Sequence, residues 1–106
     1  MAYTDIQFTG SKVIVTYDLN NNNVSAQEIA NASNGNFSTT ISMKNGNKYK
    51  LPNTTLASTI SSVNEAVTSF KNAFEAAKYN KGISYCSISR IFACEVFMKD
   101  GYIENN

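Results

Sequence analysis

Apolar and polar residues alternate twice near the start of the chain. Ile6 and Phe8 share one face of residues 4–9, and Val13, Val15, Tyr17 and Leu19 share one face of residues 12–19. Gly10-Ser11 between them predicts an antiparallel β-hairpin. Four asparagines at 20–23 then break the pattern as a loop. The next segment opens like a helix. Ser25 is placed as its N-cap and Glu28 completes a capping box, while Val24 and Ile29 have the spacing of a hydrophobic staple. Asn34-Gly35 closes this short helix, predicted over 26–33, by supplying a left-handed residue just beyond it.

Residues 37–51 read as a second hairpin. Phe37, Thr39, Ile41 and Met43 lie on one face. A two-residue Asn45-Gly46 turn would set Ile41 against Lys50 and put lysines on the apolar face. A three-residue loop, Lys44-Asn45-Gly46, instead pairs Ile41 with Tyr49 and Thr39 with Leu51. A one-residue slip turns every side chain to the other face, so the three-residue loop with a bulge is expected. Pro52, the one proline, ends that strand.

A heptad rhythm follows, with Leu56, Ile60, Val63, Val67, Phe70, Phe74 and Ala77 at steps of four and three. It predicts a long helix over 55–79, although Ser62-Val63-Asn64-Glu65 is a second capping box that would start it later. The g positions Thr59, Ala66 and Ala73 carry no charge, which argues against a coiled coil. Alanines beside the seam widen the apolar stripe, as in a helix lying on a sheet. Residues 83–98 are rich in β-branched and aromatic residues and read as two strands or one bent strand. Ile88, Ile91, Phe92 and Val96 also fit a helical face, so a helix over 89–99 stays open. Asp100-Gly101 reads as a turn into Tyr102-Ile103. The fold expected is α+β: one domain over 1–106, a mostly antiparallel sheet of hairpins (4–9/12–19, 37–43/47–51, 83–98) covered by the long helix.

Composition narrows the function. Nine basic against eight acidic residues give a net charge of +1, so nothing in the balance draws the whole chain to nucleic acid or to an anionic membrane. No apolar run reaches the roughly 18 residues of a membrane span. The 15 Asn, 12 Ser and 9 Thr make up about a third of the sequence, so amides and hydroxyls solvate the surface. The first residues lack the basic and apolar runs of a signal peptide, and a soluble cytoplasmic or virion location is expected. Four N-x-S/T sequons, at Asn23, Asn31, Asn36 and Asn53, are close to the number that this composition yields by chance and carry no weight.

Catalytic chemistry finds little support. Histidine is absent, which removes the commonest general base and metal ligand. Cys86 and Cys94 cannot alone make a four-ligand zinc site. They face each other only if Ser89-Arg90-Ile91 turns; on one strand they stand about 26 Å apart. No glycine-rich phosphate motif occurs. Asp5 and Asp18 lie on polar strand faces, and Glu95 reads as a charge that guards a strand edge. No cofactor, metal or small-molecule substrate is predicted.

Two surfaces are singled out. If the even-numbered face of 83–98 packs on the long helix, then Ile83, Tyr85, Ile91 and Phe97 face outward with Ala93 as an apolar patch, the signature of a protein interface. Lys44, Lys48 and Lys50 with Tyr49 form a locally basic hairpin able to hold a phosphate backbone. The expected function is therefore a non-enzymatic structural or accessory subunit of a protein assembly, self-associating or part of a larger one. A virion component, such as a capsid-decorating or tail protein, is its most specific form. The alternatives are a small monomeric inhibitor of a host protein and a weak nucleic-acid binder through the Lys44–Lys50 hairpin.

Overall fold

The computed structural model describes residues 2–3 (backbone only), 12–21, 23–42, 47–96 and 102–106. In chain order the elements are β1 (Ala2–Tyr3), β2 (Val13–Leu19), α1 (Ala26–Asn31), β3 (Phe37–Ser38), β4 (Thr40–Ser42), β5 (Lys48–Lys50), β6 (Thr55–Ser58), α2 (Val63–Lys81), β7 (Ile88–Glu95) and β8 (Ile103–Glu104). The fold is α+β, as expected. A four-stranded antiparallel sheet runs in the order β3-β6-β2-β7, β4 pairs with β5, and β1 pairs with β8.

The alternation of β2 decides which layer lies where. Val13, Val15 and Tyr17 are buried on one face, with Ile14 and Thr16 half-buried on the other. The first face meets both helices, and its core joins Leu56, Phe37, Val24 and Ile29 to Phe70 and Phe74 of α2. The ring of Phe70 lies 4.8 Å from that of Tyr17 and meets Phe37 edge-on at 6.0 Å. Ala66, Ala73 and Ala77 are buried beside those rings, so α2 approaches the sheet closely. The second face carries a smaller cluster of Ile41, Tyr49, Ala57 and Ile103, with Ile14 and Leu51 against it. The β4-β5 hairpin and β8 thus cover part of the side that the helices leave open.

Local signals hold where they are short-range. Ser25 Oγ accepts from Glu28 N–H at 3.1 Å, and the Glu28 carboxylate accepts from Ser25 N–H at 2.8 Å. Both that backbone contact and the Lys81 ammonium, 3.0 Å away, hold the Glu28 carboxyl below its ordinary value. Asn34 and Gly35 are both left-handed beyond α1, at φ 54° and 80°. The second hairpin has the expected register: Ile41 opposes Tyr49, and Leu51 N–H donates to Thr39 C=O at 2.9 Å. Its loop, Lys44–Gly46, lies outside the described residues.

Three expectations are corrected. The strand expected over 37–43 divides at Thr39, so Phe37 enters the helix-side core while Ile41 enters the opposite cluster. The long helix begins at Val63, capped by Ser62, whose Oγ accepts from Glu65 N–H at 3.3 Å. Residues 55–58, expected as its first turn, are instead β6, paired with β2 on one side and β3 on the other. Leu56 owes its burial to strand pairing. The first hairpin is corrected as well: 4–9 lies outside the described residues, and β6 and β7 occupy both edges of β2. Residues 83–98 hold one strand bent by a bulge, one of the two forms expected, and no helix forms there among the described residues.

Beyond Ser89 the face of β7 is also the reverse of the one expected. Asp18 opposes Arg90 and Leu19 opposes Ile88, leaving Ser89 as an extra residue in a bulge. Ser89 Oγ donates to Asp18 C=O at 3.1 Å there. One inserted residue shifts the phase by one and exchanges the two faces. Cys86 and Ile88 therefore point to the core before the bulge, and Ile91 and Ala93 after it.

The Tyr17 hydroxyl is buried and finds no hydrogen-bond partner among the described residues. Desolvation raises its pKa from 10.0 to about 12. Tyr17→Phe is therefore expected to stabilise the fold at neutral pH by about 1 kcal/mol, because an unsatisfied buried hydroxyl is removed while the ring stays. Because the folded pKa is the higher one, the proton favours the folded state. That contribution is intact below pH 10 and is lost as pH climbs toward 12. Urea unfolding of both proteins from neutral to alkaline pH should show a shallower alkaline loss in Tyr17→Phe; identical slopes would contradict it.

Candidate protein-association edge

β7 is an edge strand. Its inner edge is bonded to β2 from Val13 to Leu19, and among the described residues no strand pairs with its outer edge. Val96 N–H donates to Lys12 C=O at 2.9 Å, which fixes the phase of the ladder. In an antiparallel pair the backbone groups of alternate residues point the same way. Arg90, Phe92 and Cys94 therefore direct N–H and C=O to β2, and Ile91, Ala93 and Glu95 present theirs outward.

Side chains along this edge divide by face. Ile91 and Ala93 pack on the helix-side core. Phe92 stands on the opposite face beside Thr16 and is 64% exposed, with Cys94 exposed next to it. Arg90 is held by Asp18, Nε to Oδ2 at 2.9 Å. A depression of about 400 Å³ lies among Thr16, Asp18, Arg90 and Phe92. Proteins commonly protect an edge with proline, lysine or an inward charge. From Arg90 to Cys94 the run holds neither proline nor lysine, and its one charge is paired with a neighbouring strand.

The residues singled out in the sequence are dispersed. Ile83 and Ile91 are half-buried against the core, Tyr85 is exposed, and Phe97 lies outside the described residues. Phe92, assigned inward by parity, is the large apolar residue this edge exposes. The bulge at Ser89 hid it, since nothing in residues 86–90 announces a bulge. On the second hairpin Lys48 and Lys50 are exposed, but Tyr49 is buried in the smaller cluster, where its ring cannot stack on a base. Lys44 lies outside the described residues. The Asn105 side chain holds the Lys50 backbone like a strand, accepting from its N–H at 2.9 Å and donating to its C=O at 3.1 Å.

Other chemistry is sparse. Both cysteines are free: Cys86 is buried with its thiol 3.2 Å from Asn21 C=O, and Cys94 is exposed. Glu95 is exposed at the end of β7. A groove of about 930 Å³ runs between the hairpin and β8, with Ile14, Ile41, Leu51 and Ile103 in its wall and Lys50, Asn53 and Glu104 among its polar residues. Tyr102 Oη donates to the Glu104 carboxylate there, which raises the tyrosine pKa. Among the described residues no three His, Cys, Asp or Glu side chains are grouped so that they could hold a metal ion. No helix of those residues is long and apolar enough to cross a membrane. No family model, curated protein or solved structure matches the chain.

Proposed function

We propose that this chain is a non-enzymatic structural or accessory subunit of a protein assembly, joined to its neighbours through the outer edge of β7. The observation that carries the reading is a run of edge strand, Arg90–Cys94, without proline, lysine or an unpaired charge, with Phe92 64% exposed beside it. Strand addition to such an edge draws affinity from the main chain and specificity from alternate side chains. The histidine-free sequence and the Asn, Ser and Thr surface suit association better than turnover. Composition alone supports the virion form of this reading. A small inhibitor acting on a host protein would use the same edge. The nucleic-acid reading loses its aromatic contact with the burial of Tyr49.

The test is the mass of the native form. Isolated gently from the cells that make it, the chain should travel well above its own 11.6 kDa. The Phe92→Lys variant expressed in the same cells should fall back to that mass, since lysine on an edge opposes pairing. Phe92 is largely exposed, so the variant should fold. A wild type at monomer mass, or an assembly indifferent to Phe92→Lys, would overturn the reading.

A further inference from the structure

We infer that the turn after α1 is a self-modification site: the Gly35 amide nitrogen closes on the Asn34 carboxamide, and the folded chain deamidates there. The site lies before β3, at the edge of the sheet opposite β7, and is independent of the assembly reading.

Glycine after asparagine leaves the attacking nitrogen without a side chain beside it, and Asn34-Gly35 is one of two such pairs in the chain. The other, Asn45-Gly46, lies outside the described residues. Asn34 and Gly35 are both exposed. Their φ angles are 54° and 80°, and Asn36 N–H donates to Ser33 C=O at 3.1 Å, which makes them the central pair of a type I′ turn. Imide closure needs Asn34 at a ψ of about −120°, the value of the first central residue in a type II′ turn. The two turns share the φ of that residue and the closing hydrogen bond, and a flip of the 34–35 peptide plane converts one to the other. Nothing holds that plane. Among the described residues neither Gly35 N–H, Asn34 C=O nor the Asn34 carboxamide has a hydrogen-bond partner. Gly35, lacking a Cβ, adopts the positive φ of one turn and the negative φ of the other.

The neighbouring asparagines are held. The N–H after Asn31 donates to Glu28 C=O at 3.2 Å, and the N–H after Asn36 donates to Ser33 Oγ at 3.1 Å. Either nitrogen would have to give up a bond before attacking, so of these three asparagines the fold selects Asn34.

In the reaction the Gly35 amide loses its proton to hydroxide and its nitrogen attacks Asn34 Cγ. The N–Cγ bond forms, the Cγ–Nδ2 bond breaks, and ammonia leaves with the proton that Gly35 gave up. Water then opens the imide at one of its two carbonyls, giving aspartate or, with the main chain rerouted through the side chain, isoaspartate. Either product takes the formal net charge from +1 to zero. Isoaspartate also adds a methylene to the main chain. Ser33 Oγ bridges Ala30 C=O and Phe37 N–H, and Asn36 C=O accepts from Thr59 N–H at 3.2 Å. A longer chain between these anchors draws Phe37 out of the helix-side core.

Peptide mapping of the aged native chain tests the site. Trypsin cuts after Lys12 and Lys44 and so isolates 13–44 from Asn45-Gly46. Relative to a zero-time sample, the acid form of that peptide should accumulate, faster as pH rises. Fragmentation should place the change at Asn34, and an isoaspartyl methyltransferase should label it. Gly35→Ala should slow the reaction several-fold or more. An added Cβ meets nothing within 4 Å, so that variant should fold, which circular dichroism checks. Asn34→Asp carries the charge without the methylene and should keep the wild-type unfolding midpoint, whereas the isoaspartyl fraction should unfold at lower urea. A native peptide that stays unchanged while the guanidinium-unfolded chain deamidates would overturn the site, because the turn would then protect Asn34. So would conversion of Asn31 or Asn36 in step with Asn34, or a rate indifferent to Gly35→Ala.

Discussion

Phe70→Ala is expected to lower the unfolding free energy by about 3–5 kcal/mol, the cost of emptying a buried aromatic site. Phe70 has no exposed surface and stands between two rings, Tyr17 at 4.8 Å and Phe37 at 6.0 Å. These come from β2 and β3, the two strands that flank β6, so one side chain ties α2 across three strands of the sheet. A domain of this size is stable by about 5–15 kcal/mol in all. The variant should therefore unfold at much lower urea, or fail to fold at body temperature. Part of the loss should be shared with Phe37: the loss in Phe37→Ala/Phe70→Ala should fall short of the two single losses added, since contacting residues couple. Strict additivity, or a loss under about 1 kcal/mol, would show that α2 packs elsewhere.

Leu56→Ala should cost nearly as much, about 2–5 kcal/mol, and it separates two foldings of one motif. In a continuous helix Leu56, Ile60, Val63 and Val67 would occupy equivalent places on one stripe. In the structure Leu56 is completely buried in β6, beside Val15 across the ladder, whereas Ile60, Val63 and Val67 are half-buried at most. Truncating Leu56 should therefore destabilise far more than Ile60→Ala or Val67→Ala, each about 1 kcal/mol in a site that solvent already reaches. Equal losses along the series, measured by urea denaturation, would restore the longer helix.

That contrast marks where the sequence was legible. Interactions spanning three or four residues could be read directly: the Ser25–Glu28 box, the left-handed Asn34-Gly35, and the Ser62 cap as the later of two starts. The Ile41–Tyr49 register was also readable, because a slip would have buried lysines. Leu56 and Ile60 misled because a spacing of four suits a helix and also a strand with its exit. The partners of β2 were not readable, since alternation says which face is buried and not which strand lies beside it. The Ser89 bulge was the costliest omission. It exchanges the faces of β7, moves Ile91 inward, and turns Phe92 outward to the candidate edge.

The central position of β2 carries a consequence for how the protein is made. Val13 pairs with Ser58 on one side and with Glu95 on the other, so both partners are distant in sequence. Such non-local pairing slows folding, because the chain loses loop entropy before the contacts compensate it. During translation β2 leaves the ribosome first and must wait for both. Until β6 has emerged, Val-Ile-Val-Thr-Tyr is an apolar strand with two open edges, and until β7 follows it keeps one, the kind of segment that aggregates or recruits a chaperone. The nascent chain is therefore most at risk of misassembly over nearly the whole of its synthesis, and its last third is what ends that risk.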